Sequence, residues 1–343
     1  MRTSSMLGFL AAGLAACIGA AIATRQAATP PGAGATNQHE AGRPIDQRAV
    51  LPLTPVRAPE GLGDRALEHV RTLTEFGQRH PGTPGWTRQL EYIANTLQAL
   101  GLTVQRDTWT DRKERITFTN VWTSIPGRRK ERIVLACHHD TKCMQGHPDP
   151  AHNFHFVGAN DGGSAVALLL ELAPVLRATE RDATIDLVFF DGEESLDWAW
   201  NDAARALFGS KRFATQHREK LLLGEEARIE ALILLDMVGR TDLHIQEELY
   251  STSRLRTILW SAAVACGHRE LFFRTAEAAS DDHVPFLDRG IPAVDLIDLV
   301  GNPHWHKATD TIDNMSGKSL HAVADVVLTM LPEVERAYVL RKE

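Results

Sequence analysis

Residues 184–194 have the sequence TIDLVFFDGEE, a run of mainly apolar residues that ends in an acidic turn. A short apolar run of this length is typical of a β-strand that is buried on both faces of a sheet. Residues 132–137, 231–236 and 293–297 form three further runs of the same kind. We therefore predict a sheet that contains these four strands, with the acidic turn directly after the strand 184–190.

Helical segments alternate with these strands along the chain. Apolar residues at helical spacing predict helices at 66–76, 86–100, 164–177, 253–266 and 319–340. Strands that alternate with helices indicate a parallel sheet whose two faces are covered. The expected fold class is therefore α/β, a single domain with a mostly parallel central sheet and helices on both faces.

The composition excludes several classes of protein. The chain has 343 residues, of which 43% are hydrophobic, enough for a sizeable core. Its 37 Lys and Arg residues and 44 Asp and Glu residues give a net charge of −7, so nothing favours nucleic acid as a partner. Four cysteines are too few for a small disulfide scaffold. Whether Cys137 and Cys143 pair stays open at this stage, and Cys266 is expected to be a buried small residue.

The N-terminus has the features of a targeting segment. No residue between Arg2 and Arg25 is charged, and residues 6–16 form an apolar core. Residues 14–17, LAAC, match the lipobox of bacterial lipoproteins, with Cys17 as the lipidated residue; a cleaved signal peptide and an uncleaved membrane anchor are the alternatives. All three predict export, to the periplasm or cell envelope as a lipoprotein or as a secreted protein, with membrane contact only through this segment. We predict a targeting segment at 1–24, a flexible linker at 25–60 and a catalytic domain at 61–343.

Polar side chains follow the predicted strands at the points where the strands end. His138 follows the strand 132–137, Glu193 and Glu194 lie in the turn after the strand 184–190, and Asp236 ends the strand 231–236. Because the carboxyl ends of parallel strands meet at the same edge of a sheet, we expect these side chains to converge on one cleft. With residues from other loops, the candidate metal ligands are His138, Asp140, Asp161, Glu193, Glu194, Asp236, Asp281, Asp282, His283 and His306.

Each candidate also has a simpler explanation. Asp161 could cap the helix that begins at 164, His306 could be a solvated loop histidine, and Glu193-Glu194 could be a solvated turn. However, adjacent carboxylates at the end of a buried strand repel each other unless a cation or a proton intervenes. One Asp, one Glu and one His from different loops match the three nitrogen and oxygen ligands of a catalytic zinc. The combination therefore predicts a zinc site.

The order of these residues resembles the zinc-dependent exopeptidase clan. The clan's motifs correspond here to His138-His139-Asp140, Gly158-Ala159-Asn160-Asp161, Glu193-Glu194, Leu235-Asp236 and His306. Within the clan, residues 61–343 resemble the animal-type glutaminyl-peptide cyclotransferases, or glutaminyl cyclases. The segments that carry this resemblance are 79–85, 135–142, 189–194, the long insert 195–208 and the paired-Asp loop 281–287. In the aminopeptidases of the clan, the link that corresponds to 195–208 is usually shorter, and the loop that corresponds to 281–287 usually has a single Asp.

The resemblance implies a reaction and a role for each residue. The implied zinc ligands are Asp161, Glu194 and His306, the implied catalytic residues are Glu193, Asp236 and Asp281, and the implied pocket walls are Trp198 and Trp305. Glu193 would carry a proton from the α-amine of an N-terminal glutamine to the departing ammonia, beside a single zinc ion. Trp198 is equally consistent with an ordinary rim residue. The implied partners are peptides or proteins that begin with Gln, and we expect a monomer.

Two other functions fit the same residues. A two-zinc aminopeptidase would use His138 and Asp236 for a second zinc, with Asp161 as the bridge and Glu193 as the base for a water molecule. Residues 160–164 and 309–311 resemble the aminopeptidases more than the cyclases. The third possibility is a catalytically inactive binding domain of the same fold, although no ligand or acid–base residue is missing.

Overall fold

The computed structural model describes residues 48–198 and 200–340. Within these residues the α-helices are α1 (Leu62–Glu75), α2 (Pro84–Ala99), α3 (Gly163–Ala178), α4 (Phe208–Leu222), α5 (Ser253–Cys266), α6 (Val284–Leu287) and α7 (Gly317–Val334). The β-strands are β1 (Val104–Thr110), β2 (Thr117–Ile125), β3 (Arg132–His138), β4 (Thr184–Phe190), β5 (Ile229–Asp236), β6 (Ile245–Glu248), β7 (Phe272–Glu277) and β8 (Ala293–Ile297). The predicted helix 319–340 is therefore α7, which continues as a π-helical turn over Glu335–Val339.

The main sheet has six strands in the order β1-β2-β4-β3-β5-β8. The four predicted strands lie side by side and run parallel, which confirms the mostly parallel central sheet. β1 and β2 extend it as antiparallel strands that were not predicted. Their sequences lack a continuous apolar run, because β1 is largely exposed and β2 contains buried polar residues such as Asn120. β6 and β7 form a separate two-stranded parallel sheet.

The two faces of the sheet pack against different helices, as the fold prediction requires. On β3, Ile133, Leu135 and Cys137 belong to a large apolar cluster with α1, α3, α5 and α7. The alternate residues, Val134 and Ala136, belong to a second cluster with α4 and α6. Each fully buried Val, Leu or Ile side chain contributes about 1.5–3 kcal/mol relative to exposure, so these two clusters hold the strand ends in fixed register.

The cysteines of the described residues are free thiols. Cys137 and Cys266 are buried, whereas Cys143 is exposed in the loop that follows β3. Pairing of Cys137 with Cys143, which the sequence left open, is therefore not observed. The buried environment expected for Cys266 is found.

The predicted targeting segment 1–24 lies outside the described residues, as does most of the predicted linker 25–60. The last part of that linker contacts the body of the protein. The backbone N–H groups of Val56 and Ala58 donate hydrogen bonds to Thr329 and Asp325 on α7, at 2.8 and 2.7 Å. Among the helices in the described ranges, none combines the length and the apolar character that a membrane crossing requires.

Candidate active site and metal centre

Three of the predicted ligands meet at the carboxyl end of the sheet. Asp161 lies two residues before α3, Glu194 follows β4, and His306 lies in the loop after β8. His306 Nε2 is 3.4 Å from Asp161 Oδ2 and 3.2 Å from Glu194 Oε2. One ligand atom from each residue lies within 4.8 Å of the others, and all three side chains are buried. The structure therefore brings together, from three loops, the residues that the family resemblance implies as zinc ligands.

These three residues fit a divalent cation. Asp161 Oδ2 and Glu194 Oε2 are buried without a hydrogen-bond partner among the described residues. Burial and the nearby Glu194 charge raise the pKa of Asp161, which shows that the two carboxylates oppose each other. A bound cation would satisfy both unpartnered oxygens, and an Asp, Glu and His set is one that zinc accepts.

The simpler explanations for these residues are wrong. The N-cap of α3 is Gly162, and no side chain caps that helix, so Asp161 is not a capping residue. His306, Glu193 and Glu194 are 6, 7 and 5% exposed, so they are neither a solvated loop histidine nor a solvated turn.

A second group of possible ligands shares Asp161 with the first. His138 Nε2 lies 3.1 Å from Asp236 Oδ1 and 3.4 Å from Asp161 Oδ1. Ligand atoms of these three residues also lie within 4.8 Å of one another. The arrangement of side chains therefore has room for a second cation next to the first, with Asp161 between them.

Other candidate residues lie outside both groups and support them. Asp140 accepts hydrogen bonds from the backbone N–H groups of Glu193 and Glu194, at 3.2 and 3.4 Å, and so fixes the acidic turn. Asp282 and His283 face the protein interior, where His283 Nε2 is 3.0 Å from Glu248 Oε2. None of these three candidates contributes an atom to either group of ligands.

Asp310 supports Asp161 and was not predicted as a site residue. Its carboxyl oxygens accept hydrogen bonds from the N–H groups of Asn160 and Asp161, at 2.8 and 3.0 Å. Burial and the charge of Asp161 raise its pKa to about 7. The sequence signal is the segment 309–311, which resembles the aminopeptidases. That resemblance does not indicate that Asp310 lies next to Asp161.

All three residues of the first group, and Asp161 and Asp236 of the second, line a cavity of about 320 Å³. Its acidic residues are Asp161, Glu193, Glu194, Asp236 and Asp281, its aromatic residues are Trp198, Trp200 and Trp305, and Ile297 and Leu299 are among its apolar residues. A cavity of this kind, mostly apolar with a few convergent polar groups, is typical of a small-ligand site. All six predicted catalytic and ligand residues and both predicted wall residues therefore line one cleft.

Two acidic residues in the cavity differ from ordinary surface carboxylates. Burial raises the pKa of Glu193 well above its usual value, although the nearby His138 partly opposes the shift. Burial and the charge of Asp236 raise the pKa of Asp281 to about 7. Neither Glu193 nor Asp281 belongs to the two groups of possible metal ligands. Both shifts favour the protonated form, so both carboxyl groups are available to hold or transfer protons.

Aromatic rings lie next to the metal group, the name used here for Asp161, Glu194 and His306. The Trp305 ring stacks on His306 with a centroid distance of 4.4 Å and is 39% exposed, at the mouth of the cleft. The Trp198 ring centre is 5.9 Å from that of His306. His152 stacks on the Trp198 ring at 3.8 Å, and the His147 ring lies 5.2 Å from it. His152, in the loop after β3, was not predicted as a site residue.

Lys142 and Trp200 are site residues that the sequence analysis did not select. The buried Lys142 Nζ lies 3.5 Å from Glu194 Oε2 and 5.6 Å from the centre of the Trp200 ring. Burial favours the neutral form of Glu194, but the charges of His306 and Lys142 outweigh it and lower the Glu194 pKa to about 2. Both residues belong to segments, 135–142 and 195–208, that carried the cyclase resemblance.

Comparison with known proteins places the chain in a family. The model of peptidase family M28 matches residues 120–331. A glutaminyl-peptide cyclotransferase-like protein of Bos taurus is 31% identical over 74% of this chain and 72% of its own length. The glutaminyl-peptide cyclotransferase of Bothrops jararaca is 27% identical over 75% of this chain and 77% of its own length.

Solved structures agree with this relationship. A glutaminyl cyclase from an Acidobacteriales bacterium is 32% identical, has a TM-score of 0.71, and matches 85% of this chain and 99% of its own. A leucine aminopeptidase precursor from Bacteroides thetaiotaomicron has the same TM-score at 26% identity, and the match covers 81% of this chain and 98% of its own. The chain therefore belongs to peptidase family M28 and, within it, to the glutaminyl-peptide cyclotransferases.

Proposed function

We propose that the protein is a glutaminyl-peptide cyclotransferase, which converts the N-terminal glutamine of peptides or proteins to pyroglutamate and releases ammonia. The relationship to the glutaminyl-peptide cyclotransferases carries this proposal, and the structural observation that agrees with it is the position of Glu193. It lies in the same cavity as Asp161, Glu194 and His306, yet it is outside the group of possible ligands and so remains free to carry a proton. The related cyclotransferases and the long insert 195–208 support the same reaction.

In this reaction the nucleophile belongs to the substrate itself. The α-amine nitrogen forms a bond to the γ-carboxamide carbon, and the bond from that carbon to the amide nitrogen breaks. Glu193 accepts the proton that the amine loses and delivers it to the departing ammonia. Asp161, Glu194 and His306 would hold a zinc ion, which would supply Lewis-acid polarisation of the γ-carbonyl. Because attack is intramolecular, the main task of the pocket is to hold the glutamine side chain in position.

The remaining cavity residues have supporting roles in this proposal. Asp236 and Asp281 orient the amine and stabilise the charge that develops during proton transfer. Trp198 and Trp305 lie beside His306 in the lining of the cavity, where their rings would pack against the glutamine side chain. Water exclusion by these rings strengthens the electrostatic interactions inside the pocket.

A two-zinc aminopeptidase is the second candidate function. The observation that favours it is the group formed by His138, Asp161 and Asp236, which is compact enough for a second ion. The likeness to the leucine aminopeptidase precursor points the same way. In that reaction Glu193 would take a proton from a water molecule instead of from the substrate amine.

Product analysis separates the two functions. The purified protein should release ammonia from a peptide that begins with Gln, and the peptide mass should fall by ammonia alone. Free amino acid released from a peptide that begins with Leu would instead establish the aminopeptidase. Elemental analysis provides a second measurement: we propose one zinc per chain, and two zinc ions would favour the peptidase.

We also propose that the protein is exported as a lipoprotein and acts as a monomer. The support for export is the uncharged segment 6–16 together with the motif LAAC at 14–17, which overlaps its end. Mass analysis of the mature N-terminus tests it, because a lipid-modified Cys17 is expected and a chain that begins elsewhere contradicts lipidation. Light scattering of the purified protein tests the monomer.

A further inference from the structure

Trp198 lines the cavity from a segment that has little regular secondary structure. Between β4 and α4 the chain forms one short 3₁₀ turn, at Ala203–Arg205. The Trp198 side chain is half-buried and belongs to the lining of the cavity. A large ring on an irregular segment can adopt several rotamers unless its neighbours restrict it. The contacts of the Trp198 ring therefore decide whether this part of the cavity wall has a fixed shape.

Two rings that contact Trp198 come from the loop after β3. The His152 ring stacks on the Trp198 ring, with a centroid distance of 3.8 Å and an angle of 18° between the ring planes. The His147 ring meets the Trp198 ring edge-on at 5.2 Å and the His152 ring at 5.1 Å. Stacked and edge-to-face arrangements are the favourable ones for aromatic rings. The three rings therefore form one cluster, in which His152 covers a face of the Trp198 indole.

The loop that carries the two histidines has its own hydrogen bonds. Asp149 Oδ1 accepts a hydrogen bond from the Ala151 N–H at 2.9 Å and so caps the 3₁₀ turn Pro150–His152. The backbone N–H of Asp149 donates to His147 Nδ1 at 3.0 Å. Proline at the first position of the turn fixes one of its backbone angles. These local interactions set the positions of both histidine rings against Trp198.

A separate contact holds the backbone next to Trp198. The buried Lys142 Nζ donates hydrogen bonds to the carbonyl oxygens of Ser195 and Asp197, at 2.5 and 3.4 Å. Lys142 thus fixes the main chain of this segment, whereas His152 contacts the indole ring itself. Removal of the His152 ring should therefore release the Trp198 side chain and leave the segment in place.

We propose that His152 is a positioning residue, whose ring holds the Trp198 indole in the orientation that forms a wall of the cavity. His152 lies outside the lining of the cavity, so it acts on a substrate only through Trp198. Its effect on substrate binding rests on the proposed function, in which the indole packs against the glutamine side chain. The stack between the two rings does not depend on that function.

Three variants of the full-length protein test this role. His152→Ala should raise the KM for a peptide that begins with Gln about three- to ten-fold, with kcat within about two-fold of the wild type, because a wall contact binds substrate and transition state alike. His152→Phe keeps a ring that can stack and should bring KM back to within about two-fold of the wild type. The control, His155→Ala, removes an exposed histidine of the same loop that lies near Gly77, and its KM should stay at the wild-type value.

The variants overturn the proposal if they show a different pattern. Wild-type KM in His152→Ala means that the stack does not position the wall. Equal increases in His152→Ala and His155→Ala, or an increase that His152→Phe does not reverse, would mean that the loop matters for a reason other than the ring.

A double-mutant cycle tests whether His152 acts through Trp198. Trp198→Ala should raise KM at least as much as His152→Ala. The double variant should have the KM of Trp198→Ala alone, because the stack is already lost in that variant. Additive increases in KM would show that His152 affects the substrate by another route and would contradict the proposal.

Fluorescence quenching tests the stack without an activity assay. The emission of Trp198 is the difference between a protein and the same protein with Trp198→Phe. Acrylamide should quench this emission more strongly in His152→Ala than in the wild type or in His155→Ala, because a face of the indole becomes accessible. Unchanged quenching in His152→Ala contradicts the proposal. If quenching changes as expected in a protein that does not cyclise glutamine, the proposed function fails while the positioning of Trp198 stands.

Discussion

Buried carboxyl groups have different hydrogen-bond partners at the two ends of the central sheet. Near the amino-terminal end, Asp186 on β4 accepts hydrogen bonds from Arg132 and from the Ser124 hydroxyl, at 2.5 and 2.6 Å. At the carboxyl end, oxygens of Asp161 and Glu194 are equally buried but have no hydrogen-bond donor among the described residues. Both ends carry the desolvation cost of a buried carboxyl. Direct hydrogen bonds satisfy Asp186, whereas at the carboxyl end the charges of His306 and Lys142 favour ionised Glu194 but leave Glu194 Oε2 and Asp161 Oδ2 without a hydrogen bond.

This difference separates structural from functional carboxylates. A carboxylate with an arginine and a hydroxyl as partners stabilises the packing around it and has no free lone pair directed at a ligand. Unpartnered oxygens at the carboxyl end are instead available to a ligand, and a cation is what the oxygens of Asp161 and Glu194 would hold. Three predictions test this comparison, from the largest expected effect to the smallest.

The largest effect is expected at the carboxyl end, from substitutions that separate proton transfer from metal binding. Glu193→Gln should lower kcat about 10²- to 10⁴-fold, because it removes the general acid–base group, while zinc content stays at the wild-type value. His306→Ala should lose both zinc and activity, because it removes a ligand. Activity assays with elemental analysis measure both. Loss of zinc from Glu193→Gln would show that the roles of Glu193 and Glu194 are exchanged.

An intermediate effect is expected when one carboxylate is removed from each end. Asp186→Ala should lower the free energy of unfolding by about 3 kcal/mol with little change in kcat, since Arg132 loses one partner in a buried ion pair. Glu226 Oε1, 2.9 Å from Arg132 Nη1, remains as a partner of Arg132 and limits the loss of stability. Asp236→Asn should instead keep the free energy of unfolding within about 1 kcal/mol of the wild type and lower kcat about 10- to 100-fold. Denaturant titration and kinetics on the same samples distinguish the two, and equal patterns in both variants would remove the proposed distinction.

The smallest effect concerns Asp325, a paired carboxylate on α7 away from the cleft. Burial favours its neutral form, but hydrogen bonds from the Ala58 N–H, His268 and Arg57 outweigh burial and lower its pKa below the usual 3.8. A lowered folded-state pKa means that ionised Asp325 stabilises the fold above pH 3.8 and that this stability is lost as the pH falls through the folded-state value. Asp325→Asn should therefore cost about 1–2 kcal/mol at pH 7 and progressively less below about pH 4. Thermal unfolding at several pH values measures the difference, and a constant difference down to pH 2 would contradict it.

Much of the fold could be predicted because its centre is apolar. The four parallel strands have continuous apolar runs, and all seven residues of β3 are buried. β2 could not be predicted in this way, because its buried Asn120 is satisfied only by distant groups. The Asn120 side chain donates to Gly209 and accepts from the backbone N–H of Asp191, each at 3.0 Å. A local pattern of hydrophobicity does not contain such partners.

The candidate site was predictable to a similar extent. The residue types of the metal group follow from the strand ends and from the family resemblance, and the structure brings Asp161, Glu194 and His306 together. Lys142, Trp200 and Asp310 were missed because each acts on a ligand or wall residue without belonging to a recognisable ligand pattern. Their positions become visible only when the loops are assembled around the cavity.

The sequence by itself determined the α/β alternation, the chemical types of the ligands and the family, because apolar periodicity and motif order are local properties of the chain. The tertiary structure decided which carboxyl oxygens have donors and which do not. Asp161 and Asp310 are 149 positions apart, and His306 and Glu194 are 112 apart, so their contacts depend on the register of the sheet and the paths of the loops.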